Sequence, residues 1–388
     1  VNSRIYFDYA ATTPLREEAA AAMAAAERHC AFNPSSLHAE GRAARAALDD
    51  ARERIAAAIG ATRRDIVFTS GGTEANNLAL FGTLRALPRP AHVVVSAVEH
   101  SAVLRPLALL REQGVETTVL SVNPDASVDP ANFARTLRPD TRLASVMYAN
   151  NEVGTIQPIT ELAAIARERG VLFHTDAVAA AMWLALDVDR LGVDMLSLSA
   201  HKVYGPRGIG ALYVRRGVPI GPLLFGGGQE SGRRSGTENV GAAVGFARAL
   251  ELAVAERDEA ARHVAALRDR LEAEIRRALP DATVNGAGAQ RLPNILNVSF
   301  GGIEAAELLV ALDLEGVAIS AGSACATGAL EPSHVLAAMG APSGGIRFSL
   351  GTRTTAGEVD RAAETLARIC AGGSGVLKTN RARLEAEA

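Results

Sequence analysis

Cysteine is scarce in this chain. Cys30, Cys325 and Cys370 are the three among 388 residues, too few and too widely spaced for a disulfide framework or a zinc site. Each therefore has to be judged as an individual thiol. Long apolar runs are missing as well. No uninterrupted stretch is long enough to cross a bilayer, and the opening residues, Val1 to Asp8, hold no apolar signal segment, so a cytoplasmic protein is expected. Nor is either charge in excess: Lys plus Arg number 40 against 43 for Asp plus Glu, which argues against a broad basic face for nucleic acid and against an acidic tail. What remains is 48% hydrophobic and 21% charged, the make-up of an ordinary globular protein. The length suits one large α/β domain plus a smaller one. A small-molecule substrate is the better default.

β-rich runs at 66–69, 93–96, 115–120, 143–148, 171–174 and 195–199 alternate with alanine-rich stretches. That is the pattern of a mostly parallel sheet covered by helices. Gly71, Gly72, His100, Asn150, Asn151, Asp176 and Lys202 all fall just after expected strand ends, where ligands of open α/β sheets collect, so one pocket would gather them. A long charged, alanine-rich helix is expected over 242–279, stopped by Pro280, and strands at 296–300 and 346–350. The division expected is a large domain of residues 15–255 and a small one of residues 1–14 plus 256–388.

Within this frame the chemistry starts at Lys202, in Ser199-Ala-His201-Lys202-Val-Tyr-Gly205. A strand end with small neighbours leaves room for a planar cofactor, and a partly desolvated lysine suits Schiff-base chemistry with pyridoxal phosphate. Strand 66–69 runs into Ser70-Gly71-Gly72-Thr73. Free amides at a helix start with no Cβ in the way would hold a phosphate, and the alternative is a plain turn with Thr73 as helix cap. Asp176 would pair with a protonated pyridine nitrogen or merely cap a helix. His100 would stack on the ring and relay protons, or be an ordinary polar histidine. Cys325 lies in Ala321-Gly-Ser-Ala-Cys325-Ala-Thr-Gly, small residues expected to form a mobile loop that gives a nucleophilic thiol access. Arg347 interrupts an apolar strand pattern and wants a carboxylate, supplied by a substrate or by a structural ion pair.

Taken in order, Tyr6 to Pro14, Asn33-Pro-Ser-Ser-Leu-His38, Thr69 to Asn77, Glu99-His100, Asn150 to Gly154, Ser197 to Gly210, Gly226 to Glu230, Arg234-Ser-Gly-Thr237 and Gly322 to Cys325 resemble the cysteine desulfurases. These are pyridoxal 5'-phosphate enzymes of the class V aminotransferase family and fold type I. Leu330 to Leu336 after the cysteine resembles the long-loop, nitrogenase-type and iron-sulfur-cluster-type group. The resemblance implies Lys202 as the Schiff-base lysine, His100 on the cofactor ring, Asp176 on its pyridine nitrogen and Val178 in contact with it. Gly72, Thr73, Ser199, His201 and, from a neighbouring subunit, Thr237 would hold the phosphate, which implies a homodimer. Asn33, Asn151 and Arg347 would bind substrate. Cys325 would take the sulfur of L-cysteine as a persulfide, leave alanine and pass the sulfur to an acceptor protein. No resident metal is implied, and the one ligand role left open is Cys325 toward a transient cluster. One position departs from the pattern: Ala179 stands where the family has a glutamine donating to the cofactor's phenolic oxygen. Two other readings stay open, a selenocysteine or carbon-sulfur lyase that does not need Cys325, and a cofactor-binding partner subunit without turnover.

Overall fold

The alternation of β-branched runs with alanine-rich segments becomes a seven-stranded sheet clothed in helices. The computed structural model describes residues 4–88, 90–322, 333–342 and 344–371. Among these the strands are β1 (Ile5–Tyr6), β2 (Ile66–Thr69), β3 (His92–Ser96), β4 (Glu116–Leu120), β5 (Thr141–Ser145), β6 (Leu172–Asp176), β7 (Met195–Ser199), β8 (Gly210–Val214), β9 (Thr283–Asn285), β10 (Ile295–Ser299), β11 (Val317–Ala318) and β12 (Gly345–Ser349). The large sheet runs β2-β8-β7-β6-β5-β3-β4. It is parallel throughout except at β8, which is antiparallel to both neighbours. Its inner strands are apolar and buried on both faces, as helices above and below require. The edge strand β4, Glu-Thr-Thr-Val-Leu, is largely exposed and blunted by polar side chains.

A smaller antiparallel sheet, β12-β10-β9, and a parallel pair, β1-β11, lie beside it. The helix Val240–Ala278, 39 residues long, connects the two regions. Its first half packs on the helices Glu17–His29 and Ala39–Ala58, and its second half reaches β10 and the helix Ala356–Ala371. It ends two residues before Pro280, whose ring cannot continue a helix. One apolar core runs through both regions, from Phe173 and Leu196 to Val298 and Ile346.

One expected strand, and one that was not expected, differ from the sequence reading in a way that matters for the site. The run 143–148 leaves the sheet after Ser145. Val146 and Tyr148 still donate to His174 and Asp176 carbonyls of β6, but the Met147 amide is taken at 2.7 Å by the Glu99 carboxylate, which stands where β3 would have continued. β8 was not foreseen at all, because Gly208-Ile-Gly210 reads as a turn. Gly210 has to be glycine there: a Cβ would sit 2.5 Å from the Leu198 carbonyl oxygen and 2.7 Å from the Gly71 Cα.

A buried clamp fixes the front of the sheet. Arg52, on the helix Ala39–Ala58, donates from both Nη atoms to the two oxygens of Glu230 at 2.6 Å, and also to the Ile66 carbonyl. The Phe68 amide donates to the same carboxylate at 2.8 Å, and the guanidinium lies 4.6 Å from the Phe68 ring centroid. Glu230 holds a left-handed φ of 51°, a conformation costly for a side chain of its kind and kept here by its contacts. A second pair, Arg234 with Glu74, ties the same loop to the helix after Gly72. Breaking one half of a buried pair strands the other charge, so Glu230→Ala should lower the unfolding free energy by about 3–5 kcal/mol. Loss of the exposed Arg270–Asp360 pair should cost less than about 1 kcal/mol. Urea denaturation of Glu230→Ala and Asp360→Ala reads both, and equal midpoints would remove the clamp's special weight.

Candidate active site

β2, β3, β5, β6 and β7 deliver their following residues to one end of the sheet, and β12 approaches from the smaller sheet. Gly72, Thr73, His100, Asn151, Asp176, Val178, Ser199, His201, Lys202 and Arg347 consequently line a single cleft. Ten of the residues singled out from the sequence are thus brought together. Asn33 and Thr237 are not: both are exposed in this chain, and the Asn33 side chain accepts from the Ser35 amide instead. Cys325 lies outside the described residues.

Lys202 ends a short turn, Ala200–Lys202, directly after β7. Its half-buried amine donates to the carbonyls of Ala10 and Ala11, the latter at 2.8 Å. Two dipoles thus face an amine that the sheet leaves at the cleft floor. His201, on the same cleft, lies 3.1 Å from the Thr12 hydroxyl. Burial, then the positive charges of Lys202 and Arg207, push its pKa down to about 4, so its ring is neutral at pH 7 and binds by hydrogen bonding alone. His100 caps the turn Ser101–Leu104 by accepting from the Ala102 amide at 3.1 Å. An amide can only donate, so Nδ1 is the acceptor and the proton of the neutral ring sits on Nε2.

Asp176 is the last residue of β6 and is buried. One oxygen accepts from the Val178 amide at 2.9 Å and the other from Asn76 Nδ2 at 2.5 Å. It therefore does cap a local turn, while still facing the cleft. The helical start has Gly71 as its N-cap with no side-chain bond, and Thr73 lies inside the first turn; the reading of Thr73 as a simple cap is corrected accordingly. At Gly72 a Cβ would sit 2.7 Å from Val178 Cγ2, so the wall closes to this degree only with glycine. Gly72, Thr73, Ser199 and His201 also border an adjoining recess that ends at Arg207.

Arg347 is 1% exposed. Nη2 donates to Asp8 at 2.7 Å and Nη1 to the Asn151 carbonyl at 3.0 Å, while Nε is buried without a partner. The guanidinium thus has a structural carboxylate in Asp8, and it also lines the cleft.

The Aminotransferase class-V family model matches residues 5–362. The chain belongs to that family. Within it the chain groups with the cysteine desulfurases: it is 48% identical over 370 residues to cysteine desulfurase IscS of Dictyoglomus turgidum, covering 94% of each chain. A solved NifS-like protein is 36% identical with a TM-score of 0.89, covering 95% of this chain and 99% of its own. SspA, solved in complex with cysteine, is 35% identical with a TM-score of 0.79, covering 90% of this chain and 100% of its own.

For this class-V family member several site groups had no part in the sequence reading. Asn76 stands one helical turn beyond Gly72, so the two share a face, and its Oδ1 is buried without a partner. The carbonyls of Ala10 and Ala11 carry no side-chain signal at all. A compositional signal for the amine was available, because Lys202 and Lys378 are the only lysines in the chain. Cys30 and Cys370 are free thiols, and burial pushes Cys370 up to about 11, which makes it a poor nucleophile. Among the described residues no group of three His, Cys, Asp or Glu side chains is placed to hold a metal ion, and no helix is long and apolar enough to cross a membrane.

Glu99 lies just behind His100, fully buried. Burial pushes its pKa up to about 8, against hydrogen bonds from Ser96 and the Met147 amide that lower it. An unfolded glutamate titrates near 4.5, so between that pH and 8 the folded state holds a proton that the unfolded state has lost. Stability must fall as pH rises through this window. Glu99→Gln removes the titration and should flatten the pH dependence of the unfolding midpoint between pH 5 and about 8; an unchanged slope would show that Glu99 is ionised in the fold.

Proposed function

We propose that this chain is a cytoplasmic, pyridoxal 5'-phosphate-dependent enzyme that removes sulfur from L-cysteine. The products are L-alanine and a persulfide on Cys325, whose outer sulfur passes to an acceptor protein for iron-sulfur cluster or other thio-compound synthesis. The balance closes without an oxidant: the sulfur leaves carbon, bonds to the Cys325 sulfur, and carbon receives a proton in its place. The observation that carries this reading is the single cleft in which a lysine amine, a buried carboxylate, a histidine and a buried arginine face one another. The cysteine-bound SspA relative lends the substrate.

The residues present fit the cofactor. A wall that only glycine closes at Gly72, hydrogen-bonding groups at Thr73, Ser199 and His201, and Arg207 at the end of the recess suit a phosphate. When bound, pyridoxal phosphate supplies the electron-withdrawing ring that carbon-sulfur cleavage calls for. Lys202 would hold it covalently, and Asp176, with its carboxylate steadied by Asn76 and the Val178 amide, would hold a proton on the pyridine nitrogen. Val178 would pack against the ring. His100 would carry a proton at Nε2 over the reacting atoms. Arg347, with Asn151, would bind the substrate carboxylate, already oriented by Asp8. Thr237, exposed here, would complete the phosphate site of a second copy, making the enzyme a homodimer, and Asn33, also exposed, would bind substrate. The small domain, residues 1–14 with 256–388, would bring Cys325 to the cleft of the large domain, residues 15–255.

Borohydride reduction of the loaded protein followed by peptide mass should place the cofactor on Lys202 and leave Lys378 unmodified. Brief exposure to L-cysteine without reductant should add sulfur to Cys325, and Cys325→Ser should lose both that mass and sulfur transfer. Alanine still formed at the wild-type rate by Cys325→Ser would instead mark a lyase that releases its sulfur or selenium directly. Arg347→Lys keeps the charge but not the fork, and should raise KM for cysteine about tenfold or more while moving kcat less; steady-state kinetics decides it.

A further inference from the structure

Behind Lys202 lies a second, smaller chamber. Ala10, Ala179 and Lys202 border both it and the main cleft, so it is an annex of the site. Tyr9, Tyr204 and Asn294 line its other side. Its volume open to the centre of a water molecule is about 20 Å³, which admits one water and nothing larger. Asn294 is 4% exposed, and its Oδ1 has no hydrogen-bond partner. A buried carbonyl left without a donor costs about 1–3 kcal/mol, and polar chambers of this size are filled by a single water held by two to four groups.

We propose that one structural water occupies this annex, donating to Asn294 Oδ1 and accepting from the Lys202 side, and that Asn294 thereby acts as a positioning residue for the lysine amine. Polar donors are at hand besides the lysine. Burial pushes the Tyr9 hydroxyl up to about 12, so it stays protonated, and the Tyr204 oxygen accepts from the Thr352 amide at 2.9 Å, which leaves its own proton to give. The titratable and charged groups facing Lys202 are His100, Asp176, His201 and Arg347 on the cleft side and Tyr9 and Tyr204 on the annex side. Asp176 is the one carboxylate among them, so a water that accepts from the ammonium form adds to the Ala10 and Ala11 carbonyls in favouring that form.

The inference bears on the proposed function through Lys202 as the cofactor-binding amine, but its test does not need turnover. Only two lysines are present, so the full-length protein labelled with 15N at lysine Nζ gives two amine signals, told apart with Lys378→Arg. In the cofactor-free protein, Asn294→Leu should lower the Lys202 titration midpoint by about one pH unit, the loss of one hydrogen bond to an ion. Asn294→Asp keeps the acceptor, adds a negative charge and should raise the midpoint, a reversal of sign that a merely loosened fold does not produce. A crystal structure of the pyridoxal-phosphate-loaded protein should show the water on Asn294 Oδ1 and its absence in Asn294→Leu. A dry annex, or Leu and Asp variants that shift the midpoint in the same direction, overturns the proposal. Failure of borohydride to fix the cofactor on Lys202 would sink the proposed function while leaving the annex water standing.

Discussion

The grip of Arg52 on Glu230 is the constraint from which the site's front wall follows. A guanidinium and a carboxylate buried together are tolerable only when every remaining donor and lone pair is occupied, and here the Ile66 carbonyl and the Phe68 amide complete the set. Both belong to β2. The strand is therefore held in one register against the helix Ala39–Ala58, and the chain that follows it brings Gly71 to the adjoining recess and Gly72 to the cleft wall. The same carboxylate belongs to the loop that ends at Thr237, and Arg234 of that loop seizes Glu74 just past the glycines. One pair of charges thus sets the distance between a wall of this chain's own cleft and a threonine that faces away from it.

A second theme is that the site's cations are matched by acceptors from one short N-terminal stretch. Asp8 neutralises Arg347, and the Ala10 and Ala11 carbonyls receive the Lys202 amine. Parallel pairing of β1 with β11, the Ser349 carbonyl accepting from Tyr9, and the His201 carbonyl accepting from the Thr13 amide and hydroxyl bring residues so far apart in sequence to one place. The buried guanidinium is accordingly aimed before any substrate arrives, and the cost of ordering it falls on folding instead of on binding.

Much of this was legible from residue order. β2 and β7 fall on the expected residues, because each is a short apolar run bounded by a clear turn, and ten of the expected site residues share one cleft because parallel strands end on one edge. The rest depended on facts that local pattern does not carry. β5 stops early because a glutamate side chain occupies the place of its neighbour. β8 hides behind two glycines of different kinds, Gly208 turning the chain at φ +79° and Gly210 allowing close approach to Gly71. The carboxylate that Arg347 requires was foreseen as a need, but nothing near it in the chain identifies Asp8. Asn294 is silent in sequence, since an asparagine after a proline reads as a loop, and only the chamber in front of it gives its oxygen a meaning.

The near-absence of lysine reaches beyond the site. Ion pairing across the described surface, from Arg4 with Asp313 to Arg368 with Glu315, is carried by guanidinium groups, which succinimidyl esters and glutaraldehyde do not readily modify. Apart from the chain's own amino terminus, those reagents find Lys378 and Lys202. Amine-directed cross-linking would therefore report little about which proteins this one touches, and would compete with the cofactor proposed for Lys202. Carboxylate-directed or photoactivated linkers suit its contact surfaces better.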